Sequence, residues 1–251
     1  MPNAAEDNLV QLIRSLLYYG VLILSALLWG VVILSLAPLL PFSGRYTLSK
    51  YWQTFQLGAI RVICGLEYRV EGAEHLRPGP MVILAKHEAT YETFVLPTII
   101  PTPLIWVLKR ELLRIPFFGW GLATTDPIAI NRGDARQALK EVIAQGLDRL
   151  AQGRAVLIFP QGTRILPGQS GKYAGSGSLL AHKAGVPVLP IAHNAGDYWV
   201  RHRLIIRPGT VCFRIGPVID SKELSSAEIN RRAEAWIESA VQEIRSNHPP
   251  T

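Results

Sequence analysis

From Leu16 to Leu40 the sequence reads LLYYGVLILSALLWGVVILSLAPLL, with no charged residue. As a helix these residues extend about 37 Å, against a bilayer hydrocarbon core of about 30 Å. The segment is therefore expected to be a membrane helix, either spanning or dipping into one leaflet. It is longer than the apolar region of a signal peptide, and Glu6 and Asp7 precede it against a lone Arg14, which argues for retention rather than cleavage. Downstream, Arg45, Lys50, Arg61 and Arg69 outnumber Glu67, which predicts that the C-terminal side faces the cytoplasm. The chain is 49% hydrophobic with a mean hydropathy of +0.20, above an ordinary soluble protein, and the excess is concentrated at this end.

After a short Pro41-Phe-Ser-Gly turn, the segment Tyr46 to Leu66 interleaves Tyr51, Trp52, Phe55, Leu57 and Ile60 with Lys50, Gln53, Gln56 and Arg61. That pattern predicts an amphipathic helix at an interface or packed on a soluble domain. Residues 1–66 thus read as a membrane-associated two-helix hairpin, and residues 67–251 as the body. Two cysteines, Cys64 and Cys212, are too few for a disulfide framework and fit a reducing compartment.

In the body, MVILA, LIWVL, PIAI, AVLIF and PVLPIA are short apolar runs bounded by Pro, Gly or charge, as buried strands are. Between them, Asp134 to Gln152 places Leu139, Val142, Ile143, Leu147 and Leu150 on one helical face. Ser225 to Glu228 has capping-box spacing, and Ile229, Ala233, Trp236, Ile237, Ala240, Val241 and Ile244 form a stripe behind it. The expected fold is α/β, with a largely parallel central sheet flanked by helices.

Ligand sites in such sheets gather at the C-terminal ends of strands. There the chain places AKHEATYETF, residues Ala85 to Phe94. His87 and Glu92 are five apart, so on one regular helix they would diverge by about 140°. They meet if His87 is in a loop and Thr90 caps a helix beginning at Tyr91, with Glu92 in its first turn. A carboxylate beside an imidazole fixes its tautomer and stabilises the imidazolium formed on taking a proton, which is a general base with an orienting partner. HEATY opens like the zinc-protease motif, but Tyr91 stands where a second histidine ligand is needed, so no metal is expected.

A second strand runs into Pro160-Gln161-Gly162-Thr163-Arg164, and Lys172 follows in a Gly/Ser-rich stretch. Arginine, lysine and glycine-flanked amides suit a phosphate, although the order does not match a P-loop. The strand PIAI ends in Asn131 and Arg132.

His87-x4-Glu92, INR at 130–132, FPQGTR at 159–164 and VPVLPIAHNAG at 186–196, in that order, resemble the glycerophosphate acyltransferase family. The closest branch is the bacterial membrane-bound 1-acyl-glycerol-3-phosphate acyltransferases. The likeness covers about residues 67–220, and the N-terminal helical pair fits it. Two positions depart from the commonest pattern. Lys86 and Glu92 stand where Asn and Asp are usual, as in a bacterial Lys-His-x4-Glu subgroup, and Gln161 replaces a glutamate.

The resemblance implies a cytoplasmic-face enzyme of the bacterial inner membrane acting in phospholipid synthesis. His87 would deprotonate the hydroxyl of lysophosphatidic acid, which attacks an acyl thioester carried by coenzyme A or an acyl-carrier protein. Glu92 would hold His87, and Arg164 would clamp the acceptor phosphate, with Gly162, Thr163, Lys172 and Arg132 assisting. Lys86, Gln161, Asn131 and Pro190 would position acceptor or donor. No cofactor or metal is implied. The formal charge of +7 suits anionic lipids, coenzyme A phosphates or an acidic carrier protein, and no nucleic-acid-binding motif accompanies it. Two rival readings are acylation of another lysolipid or glycerol-phosphate acceptor, and a catalytically silent lipid-phosphate binder. The silent binder has no use for His87 with Glu92.

Overall fold

The computed structural model describes residues 4–131 and 133–247, with side chains from residue 8 onward. Helix α1 (Ala4–Leu36) leads through one tight turn into α2 (Phe42–Cys64). Pro41 is itself the N-cap of α2, so the expected Pro41-Phe-Ser-Gly turn is instead the first turn of the helix. A proline needs no amide partner at a helix start, which makes it a good opener.

Then follow β1 (Leu66–Glu71), β2 (Val82–Ala85), α3 (Tyr91–Ile99), β3 (Leu104–Lys109), α4 (Phe118–Ala123), β4 (Ile128–Ile130) and α5 (Ala135–Ala151). The chain closes with β5 (Ala155–Ile158), α6 (Ser176–Ala184), β6 (Val188–His193), α7 (Ala195–Tyr198), β7 (Gly209–Ile215) and α8 (Ser226–Asn247). The seven strands lie in the order β1-β7-β6-β2-β5-β3-β4. All neighbours are parallel except β6 and β7. The fold is therefore the expected α/β one, with β1 and β7 added at one side.

Strand β2 lies mid-sheet and every residue in it is buried, which explains its unbroken apolar run. Its side chains alternate between two layers. Ile83 joins Ile60, Phe94, Leu96 and Phe213 on the α1–α2–α3 side, whereas Val82 and Leu84 meet Val142, Leu180 and Ile237 under α5, α6 and α8. Pro190 is tolerated inside β6 because its missing N–H falls on the β7 side, where the regular β6–β7 pairing ends at Ile191↔Ile215 and Gly216 still donates to the Pro190 carbonyl at 2.9 Å.

Among the described residues one helix, Asn8–Leu39, is long and apolar enough to cross a membrane. One side of it is covered by the rest of the chain nearly end to end. Gln11 donates to the Cys64 carbonyl at 3.2 Å, Ser15 Oγ accepts from the Ile206 amide at 2.9 Å, and Ser25 Oγ accepts from Gln56 at 2.6 Å. Farther along, Gly30 lies against the Phe117 backbone, where a Cβ would come within 2.8 Å of the carbonyl carbon, so only glycine permits the approach. From Gln11 to Gly30 is roughly 29 Å of helix. The opposite side exposes Leu16, Leu17, Ile23, Leu24, Leu27 and Leu28. Cys64 and Cys212 are both free and buried.

Candidate active site

Strand β2 ends at Ala85, and residues 86–90 form a loop before α3 begins at Tyr91. His87 is thus outside the helix and Glu92 in its first turn, and Nδ1 of His87 lies 2.8 Å from Glu92 Oε1. Thr90 does not cap α3 with its side chain. Glu92 instead reaches back to accept the amides of Glu88 at 3.0 Å and Ala89 at 2.9 Å. Burial opposes charge on this fully buried carboxyl, yet the bond from His87 and the amide donors hold it below the usual carboxylate range. An ionised Glu92 makes Nδ1 of His87 the protonated nitrogen and leaves Nε2 with a lone pair. The imidazole stacks on Phe159 with centroids 3.9 Å apart and planes inclined by 11°, so its plane is fixed as well.

The FPQGTR loop holds the same histidine by its backbone. Gln161 Oε1 accepts the His87 amide at 3.2 Å, and the His87 carbonyl accepts the Ile165 amide at 2.8 Å. Gly162 turns the loop at φ 68°, a left-handed conformation that a side chain would strain. Beneath, fully buried His193 accepts the Ala195 amide at Nδ1 and donates from Nε2 to the Lys86 carbonyl at 2.8 Å. Burial pushes its pKa down, which keeps this neutral tautomer.

His87 opens into a cavity of about 660 Å³ between the helical pair and β3. Its walls include Leu22, Trp29, Trp52, Phe94, Trp106 and Leu122, and are mostly apolar. Gly162, Thr163 and Arg164 line it beside His87, together with Lys109, Arg201 and His202. Arg164 has a buried Nε with no hydrogen-bond partner, and Arg201 donates to its carbonyl at 2.9 Å. A base facing an apolar cavity with guanidinium groups near it can deprotonate one end of an amphiphile while binding an anion.

The pattern of the Acyltransferase family matches residues 67–194, which include β2, the His87 loop and FPQGTR. The 1-acyl-sn-glycerol-3-phosphate acyltransferase of Pseudomonas aeruginosa is 46% identical over 96% of each chain. The chain belongs to the acyltransferase family. The 1-acyl-sn-glycerol-3-phosphate acyltransferase of Saccharomyces cerevisiae is 26% identical, over 94% of this chain and 80% of that one. The crystal structure of the 1-acyl-sn-glycerophosphate (LPA) acyltransferase from Thermotoga maritima superposes with a TM-score of 0.73. It is 21% identical, and the match covers 96% of this chain and 97% of that one, so it shares the fold.

Within this acyltransferase fold, several residues expected at the site are elsewhere. Lys86 is fully buried and points to α8, where its Nζ meets Glu238 at 2.8 Å and 2.9 Å. It braces the loop and does not line the cavity. Pro190 lines a separate hollow with Pro217 and Trp236, because alternation along β6 turns it away. Asn131 is exposed at the end of the edge strand, where its amide donates to Glu141 and its side chain to none of the cavity walls. Lys172 is exposed and is not a cavity wall. Arg132 lies outside the described residues.

A second ionic cluster had no local signal. Glu88, fully buried, pairs with Arg245 of α8 at 2.9 Å, and Arg245 also holds Asp197 at 3.0 Å. Burial pushes the Glu88 carboxyl up to about 7, against the pull of Arg245 and Lys86. Its partner is 157 residues away in sequence. Among the described residues no group of three His, Cys, Asp or Glu side chains could hold a metal ion.

Proposed function

We propose that this acyltransferase moves an acyl chain from a thioester donor to the sn-2 hydroxyl of 1-acyl-sn-glycerol-3-phosphate, giving phosphatidic acid. The carrying observation is His87, pinned through Nδ1 by buried Glu92 at 2.8 Å, on the wall of an apolar cavity. Nε2 takes the hydroxyl proton as the oxygen attacks the thioester carbonyl. The proton then passes to the departing thiolate, so an ester and a free thiol replace an alcohol and a thioester. Glu92 balances the imidazolium, and Arg164, with Arg201 beside it, receives the acceptor phosphate. The proposal includes no metal or other cofactor. A silent lipid binder is disfavoured, because a buried carboxylate orienting an imidazole into the cavity adds nothing to phosphate binding.

The names of the Pseudomonas and yeast relatives support the acceptor, and the apolar outer side of α1 supports attachment to a membrane. In this reading residues 1–66 anchor residues 67–251, with α1 lying in one leaflet because its other side is occupied. The basic residues after α1 support a site on the cytoplasmic face of a bacterial inner membrane. The test is to supply the purified full chain with a panel of lysolipids and glycerol-3-phosphate, with each acyl group offered on coenzyme A and on carrier protein. Preference for lysophosphatidic acid is expected. Equal or faster acylation of another acceptor overturns the assignment.

A further inference from the structure

We infer that the stretch from Lys109 to Trp120 is a second membrane-inserting element, seated in a bilayer with anionic headgroups alongside α1. This rests on the membrane reading of α1.

The stretch has two sides. Leu112 and Phe118 line the cavity, whereas Ile115, Phe117 and Trp120 do not and are exposed, Ile115 by 44% and Trp120 by 46%. The chain accepts strain to hold them there. Phe117 has φ 60° and ψ −61°, and the Phe118 amide donates to the Pro116 carbonyl at 2.7 Å. That is a γ-turn of the rare, costly hand, centred on a bulky residue for which positive φ is an outlier. It sets the Phe117 ring 5.5 Å from that of Trp120, with both still partly open to solvent. Exposure of two aromatic rings is costly in water and is removed in a lipid interface, where tryptophan and phenylalanine partition well.

Position identifies the occupant. The Phe117 backbone rests on Gly30 of α1, and Gly121 rests on Ile33. The exposed rings therefore lie beside the turns of α1 that expose Leu27, Leu28, Val31 and Val32. The patch continues the apolar side of α1. Exposed Lys109 and Arg114 outnumber exposed Glu111 in the same stretch and place net positive charge where lipid phosphates would be. A second copy of this chain, itself carrying formal charge +7, would meet that charge with its own sign.

The full-length chain is the material for the test. Cysteine is introduced singly at Ile115, Trp120, Leu24 and Lys222 and labelled with an environment-sensitive fluorophore; Cys64 and Cys212 are buried. Quenching is read on phosphatidylglycerol–phosphatidylethanolamine vesicles carrying a shallow spin-labelled lipid. Labels at Ile115 and Trp120 should be quenched with that at Leu24, and the label at Lys222 should not. Quenching at Leu24 alone overturns the proposal and leaves the α1 reading intact. Quenching at none of the first three overturns both. Shielding that follows protein concentration and not lipid overturns it in favour of self-association. A double Ile115→Ser, Trp120→Ser variant should bind anionic vesicles about tenfold more weakly, with unchanged turnover on detergent-dispersed acceptor. Unchanged vesicle affinity also overturns it.

Discussion

The Glu92 carboxylate serves three donors: the His87 ring and the amides of Glu88 and Ala89. His87→Ala is therefore expected to lower kcat by about 10²–10⁴-fold, the usual range for general-base catalysis, while circular dichroism stays unchanged. Glu92→Gln keeps an acceptor but no charge for the imidazolium, and should lose much of that activity; Glu92→Asp should lose less. Wild-type turnover in His87→Ala ends the mechanism. At Arg164, lysine keeps the charge but loses the planar fork that binds phosphate bidentately. Arg164→Lys should raise the acceptor KM and lower kcat/KM by roughly ten- to over a hundredfold. The donor KM should hardly move, and steady-state kinetics varying each substrate separately will show it. Sequence spacing was enough to pair His87 with Glu92. It could not tell that Lys86, one residue earlier, points away from the cavity, because orientation in a loop follows no period.

Helix α5 shows what an element owes to local sequence. Asp134 is its N-cap and accepts the amides of Arg136 and Gln137 at 2.9 Å and 3.0 Å, and the helix ends at Ala151 as its apolar spacing predicts. Asp134→Ala should cost about 0.5–2 kcal/mol in chemical denaturation. Turnover of the remaining folded protein should not change, since α5 is remote from the cavity. Helix α8 follows its stripe equally well, but its capping box is half formed. Ser225 accepts the Glu228 amide at 3.2 Å, while the Glu228 carboxylate turns to Arg231 and Arg232. Two exposed arginines compete for that carboxylate more effectively than one amide.

On the scale of the molecule, α8 is tied to the His87 loop twice, through Glu238 to Lys86 and through Arg245 to Glu88. Removing one partner strands a buried charge, so Glu238→Leu should destabilise the protein by about 3–5 kcal/mol. Adding Lys86→Met should restore most of the loss, and urea denaturation of the four proteins in the cycle measures the coupling. Additive losses would mean that the two side chains do not interact.

The sequence alone determined the long apolar N-terminal helix, five apolar strands, α5, α8 and the pairing of His87 with Glu92. Each rests on a local quantity: an uncharged length, a period, or the chain distance between a loop and a first turn. Strands β1 and β7 were not legible. LEYRVE and GTVCFRI carry charges at the sheet's side, and their partners are far away in sequence. Only the tertiary structure decided which charges face the cavity. It sent Lys86 to Glu238 and Glu88 to Arg245, and it brought Lys109 and Arg201 to the walls beside His87. A buried charge is stable only with a partner at hydrogen-bonding distance. That distance is set by how a loop and a helix, with partners 152 and 157 residues apart in sequence, pack at one sheet, which no short stretch of sequence encodes.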